Sequence, residues 1–189
     1  MSSIGGVKAS NPSRMGDAYS HGAIAFHWLT AAIVLPMIPL GVAMGRVDPG
    51  PTMDFIYTLH ESLGIVLWPL VLARLIYRLK NPPPPMQADI PQLMKLAAEA
   101  THWALYAGLL VNPILGYLGV STFGAKIDFF WLVELPSLVA KDEALSKQTL
   151  WVHAWIGILM ALALCAHIGG ALFHHFIRKD RTLLRMLGR

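Results

Sequence analysis

The sequence has almost no cysteine and few charged residues, and both shortages exclude familiar classes of protein. A single cysteine, Cys165, excludes an internal disulfide framework, a thiolate-held iron–sulfur cluster and a Cys-x-x-Cys-His attachment site. Only 14% of the 189 residues are charged, against about a quarter in soluble domains, and 55% are hydrophobic. The net charge of +4 does not indicate nucleic-acid binding, because basic residues lie at the ends of apolar stretches and form no basic face. This composition is typical of a membrane protein.

Four apolar windows are long enough to cross a bilayer, which takes about 20 residues per helix. They cover residues 24–44, 55–77, 97–120 and 150–176. The sequence therefore predicts an all-α fold, a transmembrane four-helix bundle forming a single domain over residues 1–189, in contact with membrane lipid. Between the last two windows, 121–149 is predicted to be a connection in which residues 129–132, rich in aromatic side chains, lie at the membrane interface.

The distribution of lysine and arginine predicts the orientation of the helices. Of the 15 basic residues, eleven fall in the amino-terminal segment, in the region from Arg74 to the third window, or in the tail after Ile177. Because positive loops stay in the cytoplasm, both termini and the proline-rich connection are expected there. The connections 46–54 and 121–149 are then expected outside.

Four of the eight histidines lie well inside the apolar windows, at positions whose depths can be compared. His153 and His167 are 14 residues apart, a spacing that returns to within about 40° on a helix and spans about 21 Å. His60, near the outer end of the second window, lies at about the depth of His153. His27, near the inner end of the first window, lies closer to the level of His167. The histidines therefore form two predicted pairs at two depths.

An ionisable side chain in a bilayer is costly, so paired histidines require a partner inside the bundle. Haem supplies one, because neutral imidazole is a good axial ligand and a flat macrocycle between two helices takes one histidine from each. We therefore expect His60 and His153 to bind the iron of an outer haem, and His27 and His167 to bind that of an inner haem.

Three further residues fit this hypothesis. Gly64 and Gly157 stand one turn beyond His60 and His153, where a missing side chain lets a large ring approach, although helix packing explains each glycine equally well. Arg74 lies 14 residues after His60, at the depth of the inner pair. A haem propionate is favoured as its partner over simple snorkelling, because register and depth agree.

The remaining histidines are weaker candidates. His21 precedes the first window and is interpreted as interfacial, and His102 enters the third window without an evident partner. His174 and His175 could contact propionates or a quinone, but a position at the headgroup level is favoured. Arg78 is interpreted as a positive-inside anchor.

Three segments together resemble the prokaryotic cytochrome b561 family of small bacterial inner-membrane proteins. They are FHWLT with His27, LHESLGIVLWPLVLARLIYRLKNPPPP with His60 and Arg74, and WVHAWIGILMALALCAHIGGALFHHFIRKDRTLLRML with His153 and His167. The resemblance implies that these four histidines hold two haem b groups in the pairing that depth suggests. It also implies a quinone as membrane partner, with ubiquinone as the candidate acceptor, and, in some members, a periplasmic electron donor or superoxide.

Two histidines on each iron leave no open coordination position, which favours electron transfer over oxygen binding. Our hypothesis is a dihaem cytochrome that passes electrons from a periplasmic-side donor to the quinone pool. Superoxide oxidation is an alternative, and a haem-free scaffold or a metal transporter is less favoured. Metal or di-iron sites usually include carboxylates near the histidines. Glu61 is expected to point away from His60, and Glu99 lies near the inner end of the third window.

Overall fold

The computed structural model describes residues 18–189, and four long helices dominate it. They are α1 (His21–Met44), α2 (Pro51–Lys80), α3 (Gln92–Phe123) and α4 (Glu143–Phe173), and α4 continues into a π-helical turn (His174–Arg178). A short hairpin of β1 (Ile127–Phe129) and β2 (Val133–Leu135) joins α3 to α4, and α5 (Thr182–Met186) follows the π-helical turn. Within the described residues, four helices are long and apolar enough to cross a membrane. The predicted all-α transmembrane bundle is confirmed.

Local sequence signals explain where the helices begin and end. Ser20 caps α1 by accepting a hydrogen bond from the Ala23 amide at 3.3 Å, and Asp142 caps α4 by accepting one from the Leu145 amide at 3.0 Å. Pro51 opens α2, where its missing amide hydrogen costs nothing. Gly124 ends α3 with a φ of 84°, a conformation that favours glycine.

The bundle places small polar side chains inside and large apolar side chains outside, as expected when lipid is the solvent. In order around the bundle, α1 packs on α2, α2 on α3 and α3 on α4. A small apolar core forms at Val34, Leu67, Val71, Tyr106 and Leu109. Several buried hydroxyls hold helices together or bond within one helix; Ser146 Oγ, for example, donates to the Gly119 carbonyl at 2.8 Å. Along α4, leucines and isoleucines remain exposed, among them Ile158, Leu159 and Leu162.

The outer connection differs from its prediction. Helix α3 runs to Phe123 and α4 starts at Glu143, so the connection 121–149 is shorter than expected. The polar residue Thr122 does not end α3, because its hydroxyl donates back to the Leu118 carbonyl at 2.8 Å. The segment 129–132 forms the end of the hairpin and its turn.

The amino-terminal extension, with Lys8 and Arg14 of the charge count, lies outside the described residues.

Candidate functional site

The outer histidine pair is brought together by α2 and α4. The ring centres of His60 and His153 lie 6.2 Å apart. Metal–imidazole bonds of about 2 Å place the centres of two opposite rings about 6 Å apart, so the observed spacing suits one metal held between these rings.

A hydrogen bond sets the tautomer of His153. Its Nδ1 atom donates to the backbone carbonyl of Asn112 on α3 at 2.9 Å, which leaves the lone pair of Nε2 available for a metal. The Nδ1 atom of His60 is buried and has no hydrogen-bond partner among residues 18–189, although the backbone of Met37 lies close to the imidazole. These ring environments suit axial ligands that face a cavity.

A cavity of about 600 Å³ lies between the outer histidines, within the range of about 300–1,000 Å³ that ligand pockets occupy. Its wall is mainly apolar and includes His60, His153 and the two glycines singled out from sequence, Gly64 and Gly157. A Cβ atom on either glycine would meet only ordinary contacts, the nearer being 3.6 Å from the Met37 methyl. The outer site therefore offers two imidazoles, a cavity and apolar surroundings, which are features that a haem site requires.

Two glycines that sequence reasoning missed make room for the ligand rings themselves. A Cβ atom on Gly41 of α1 would lie 3.2 Å from His60 Cε1, and one on Gly116 of α3 would lie 3.0 Å from His153 Cε1. Both glycines line the outer cavity. In the sequence, the signal for these positions is only a small residue on each of two other helices. The sequence does not give the depth or the rotation of those helices within the bundle.

Glu61 corrects one expectation. It lines the outer cavity together with His60 instead of pointing away from it. Adjacent residues on a helix are separated by about 100°, and a cavity of this width borders both. Arg46, at the outer end of α1, lines the same cavity.

The inner histidine pair is formed by α1 and α4. The ring centres of His27 and His167 lie 6.0 Å apart, close to the spacing of the outer pair. A cavity of about 60 Å³ beside them is lined by His27, Arg74, Arg78 and Tyr106, among others. The inner pair thus fits two axial ligands, but a macrocycle requires the surrounding side chains to make more room.

Arg74 lies at the inner pair, as its register predicts. Its guanidinium donates to His27 Nδ1 at 3.0 Å and sits over the Tyr106 ring, 5.3 Å from the centroid. Because arginine only donates, His27 accepts at Nδ1 and carries its proton on Nε2. Metal binding at Nε2 therefore requires Arg74 to turn away from His27, which would free it for an anionic group.

His102 has a neighbour that the sequence did not reveal. Its ring centre lies 5.3 Å from that of His167, in an edge-to-face arrangement, and it lines the inner cavity. The partner lies on α4, and the sequence does not show which residues of different helices face each other. His102 is thus part of the inner cluster.

The histidines near the helix ends contribute differently. His21 is exposed in the first turn of α1. His174 Nδ1 contacts the Asp180 carboxylate at 2.5 Å, and Arg178 bridges Asp180 and Asp89 at 3.3 Å and 2.9 Å. This network fastens the π-helical turn to the segment before α3.

The histidines occur in closely spaced groups, but the described residues contain no cluster of three or more histidine, cysteine, aspartate or glutamate side chains able to hold a bare metal ion. Two facing imidazoles at each depth suit a metal whose other ligands come from a macrocycle.

Comparisons with known proteins identify the family of the chain. The family model described as prokaryotic cytochrome b561 matches residues 18–189. "Cytochrome b561 homolog 2" of Escherichia coli (strain K12) is 34% identical over 180 residues, covering 92% of this chain and 93% of the relative. "Cytochrome b561 homolog 1" of the same organism is 32% identical over 176 residues, covering 92% and 98%.

A third relative carries a more specific name. "Probable superoxide oxidase CybB" of Yersinia pestis is 25% identical over 173 residues, covering 92% of this chain and 97% of the relative. The matches span nearly the full length of each relative. The chain belongs to the prokaryotic cytochrome b561 family and is a multi-pass inner-membrane protein, for which the family implies haem b as cofactor.

Proposed function

We propose that this single-domain protein is a dihaem cytochrome that conducts electrons between a periplasmic-side donor and membrane quinone. The observation that carries the proposal is the presence of two imidazole pairs with nearly equal ring spacing, 6.2 Å and 6.0 Å. The two α4 histidines, His153 and His167, are 14 residues apart, which separates the pairs by about 21 Å along the helix. Two such sites would bridge much of a hydrocarbon core about 30 Å thick.

The proposed ligands of the outer iron are His60 and His153, and those of the inner iron are His27 and His167. Haem b, when bound, would supply a one-electron carrier, and two histidines holding each iron would favour electron transfer over oxygen binding. Asn112 orients His153 through its backbone carbonyl, while Gly41 and Gly116 give both outer rings room. The proposed role of Gly64 and Gly157 is to let the macrocycle approach α2 and α4.

At the inner site, the chain mainly supplies positively charged side chains. Arg74 and Arg78 border the inner cavity, and both guanidiniums lie over the Tyr106 ring, at 5.3 Å and 5.7 Å. A buried guanidinium needs an anionic or strongly polar partner. We therefore assign Arg74 to a propionate of the inner haem.

The proposed orientation places both termini in the cytoplasm, with the hairpin and the outer pair on the periplasmic side. Its support is the excess of lysine and arginine at the inner ends of the helices. Ubiquinone is the proposed acceptor within the membrane, and a soluble redox protein is the proposed donor.

The deciding experiment counts haem in variants purified after haem-supplemented expression. The parent protein should contain two haems per chain with sharp b-type bands on reduction. His60→Ala and His153→Ala should each lose the same haem, and His27→Ala and His167→Ala the other. His102→Ala is the matched control and should keep both.

Other outcomes decide among the alternatives. A colourless parent protein would favour the haem-free scaffold or the metal transporter. One haem per chain, or loss of the inner haem in His102→Ala but not in His27→Ala, would contradict the proposed ligand assignment. Circular dichroism of each variant checks that the helices are retained.

Superoxide oxidation is a second candidate, and the specific observation in its favour is the similarity to the Yersinia pestis relative named as a probable superoxide oxidase. In that reaction two superoxide ions would each lose one electron and become two dioxygen molecules, and a quinone would take up the two electrons with two protons to become a quinol. The outer surface offers limited attraction for an anion, because Lys126 pairs with Glu134 at 2.6 Å and Lys141 with Glu143 at 3.3 Å. Rapid mixing of superoxide with the purified protein and ubiquinone tests it: absence of quinol above the uncatalysed rate rejects this candidate.

A further inference from the structure

Ser62 on α2 makes contacts that the proposed electron path does not use. Its side chain is completely buried. The Oγ atom accepts a hydrogen bond from the Phe130 amide at 2.7 Å and donates to the Asp128 carbonyl at 3.2 Å. Serine in a membrane helix commonly bonds to a carbonyl one turn back on its own helix. Here the hydroxyl instead holds two backbone groups of the hairpin, more than 60 residues away.

The hairpin that Ser62 holds forms part of the wall of the outer cavity. Ile127, at the start of β1, is only 3% exposed and lines this cavity together with His60. A second hydroxyl holds the far end of the hairpin, since Tyr117 of α3 donates to the Pro136 carbonyl at 2.6 Å. Tyr117 also lines the cavity. The hairpin is therefore fixed from α2 and from α3, at the outer end of the site.

We propose that Ser62 is a positioning residue for the outer haem, because it seats the β1–β2 hairpin as a cover that keeps water from the outer cavity. This inference rests on the proposed function insofar as it names haem as the occupant. The seating of the hairpin by Ser62 does not depend on that occupant.

The physical consequence follows from desolvation. Alanine at position 62 would remove the partner of the Phe130 amide and of the Asp128 carbonyl, whose hydrogen bonds to Ser62 are part-buried, and each such loss favours local opening toward water. Water near a haem stabilises the more highly charged oxidised form, so the shell around the site sets its potential. Loosening of the hairpin should therefore lower the potential of the outer haem and leave that of the inner haem unchanged.

The experiment compares Ser62→Ala with Ser146→Ala. Ser146 is an equally suitable serine for comparison, since it is 1% exposed and its Oγ donates to the Gly119 carbonyl, away from the hairpin. Hydrogen exchange of the hairpin amides is measured by mass spectrometry in the complete protein. We expect exchange about tenfold faster in Ser62→Ala than in the parent, and unchanged in Ser146→Ala.

A redox titration of the same proteins gives the second measurement. The potential assigned to the outer haem, identified by its loss in His60→Ala, should become more negative in Ser62→Ala alone. Equal hairpin exchange in Ser62→Ala and Ser146→Ala would overturn the proposal. A changed potential with unchanged exchange would also overturn it, because Ser62 would then act without the hairpin.

Two further arms separate the possible failures. If Ser62→Ala does not fold, Tyr117→Phe removes the other hydroxyl while keeping the ring, and it should shift exchange and potential in the same directions. No change in Tyr117→Phe would then reject the cover. If the parent protein contained no outer haem, the proposed function would fail, while the exchange measurement would still decide whether Ser62 seats the hairpin.

Discussion

The Nδ1 atom of His153 donates a hydrogen bond of 2.9 Å to the backbone carbonyl of Asn112. Since a carbonyl can only accept, this contact leaves the other ring nitrogen of His153 free to bind a metal. The ring is also confined from behind by Gly116, one helical turn further along α3. Orientation of this proposed ligand therefore depends on the backbone of a third helix.

The first prediction concerns this confinement. In Gly116→Ala the new methyl group would lie 3.0 Å from His153 Cε1, tighter than ordinary contact, so the ring must shift. Overpacking of this kind costs about 1–3 kcal/mol. We expect a lower content of the outer haem and an unchanged content of the inner haem, measured by pyridine haemochrome after purification.

Gly45→Ala is the matched control, because a Cβ atom there would meet nothing within 4 Å. It should keep the haem content of the parent protein. Equal haem content in Gly116→Ala and Gly45→Ala would show that the His153 ring is not held in the proposed position.

The second prediction concerns Arg74 and its inner-site charge. If Arg74 turns from His27 to a propionate when haem binds, Arg74→Gln removes one positive charge beside the inner haem. The oxidised state, which carries more positive charge, should then be favoured. We expect a potential lower by about 60 mV, equivalent to about 1.4 kcal/mol for one electron. A redox titration followed by visible absorption measures it.

Arg46→Gln provides the contrasting variant, since Arg46 lines the outer cavity. It should affect the outer potential and spare the inner one. If both variants shifted the potential of the same haem, or if Arg74→Gln shifted neither potential, the placement of Arg74 would be contradicted.

The sequence was sufficient to predict the four spans, because long apolar windows are a strong signal in a membrane helix. Their ends were less predictable. Thr122 resembles a loop residue, yet its hydroxyl bonds within α3 and the helix continues to Phe123. Helix ends depend on such side-chain bonds and on caps, which hydropathy does not register.

The candidate site shows the same limit. The spacing between His153 and His167 placed both on one face of α4, and their partners followed from depth. The partner of His102 and the roles of Gly41 and Gly116 were not found, because each of these residues faces a residue on another helix. Such pairings depend on how a helix is rotated within the bundle, which a single sequence does not provide.

A third prediction follows from the ionic network after α4. Burial raises the pKa of Asp180, but hydrogen bonds from His174 and Thr182 outweigh it and bring the pKa from 3.8 to about 2. Because the pKa is lower in the folded state, the ionised carboxylate stabilises the fold above pH 3.8. This contribution is lost as the pH falls from 3.8 toward 2. Titration of Asp180 should therefore not change the docking of the tail between pH 5 and 8.

Asp180→Asn removes this charge at neutral pH and should release the tail. Tail release is measured as faster cleavage by trypsin at Arg181 and Arg185. Glu143→Gln is the control, because it removes a carboxylate that pairs with Lys141 at an exposed site. Equal cleavage of the two variants would show that Asp180 does not hold the tail.

The fourth prediction concerns the aromatic turn of the hairpin. Phe130 and Trp131 have φ values of 48° and 58°, and the Leu132 amide donates to the Phe129 carbonyl at 3.0 Å. These values are typical of a type I′ turn, in which Asn-Gly is strongly preferred, so the aromatic residues are locally unfavourable there. Trp131 is 54% exposed and stacks on Phe55, itself exposed at the outer end of α2, with ring centres 5.1 Å apart. This continuity with the lipid-facing surface supports the expectation that the turn lies at the membrane interface.

The double variant Phe130→Asn/Trp131→Gly separates the turn from its aromatic side chains. It should keep the hairpin, because the new residues suit the turn, but it should weaken contact with lipid. The tryptophan fluorescence of the parent and of the variant is compared in vesicles with and without brominated lipids. Because the variant lacks Trp131, brominated lipid should quench the parent more strongly than the variant. Trp151→Phe, on α4, is the control for loss of one tryptophan. If the fluorescence lost with Trp131 proved insensitive to brominated lipid, the turn would lie in water and its aromatic residues would need another explanation.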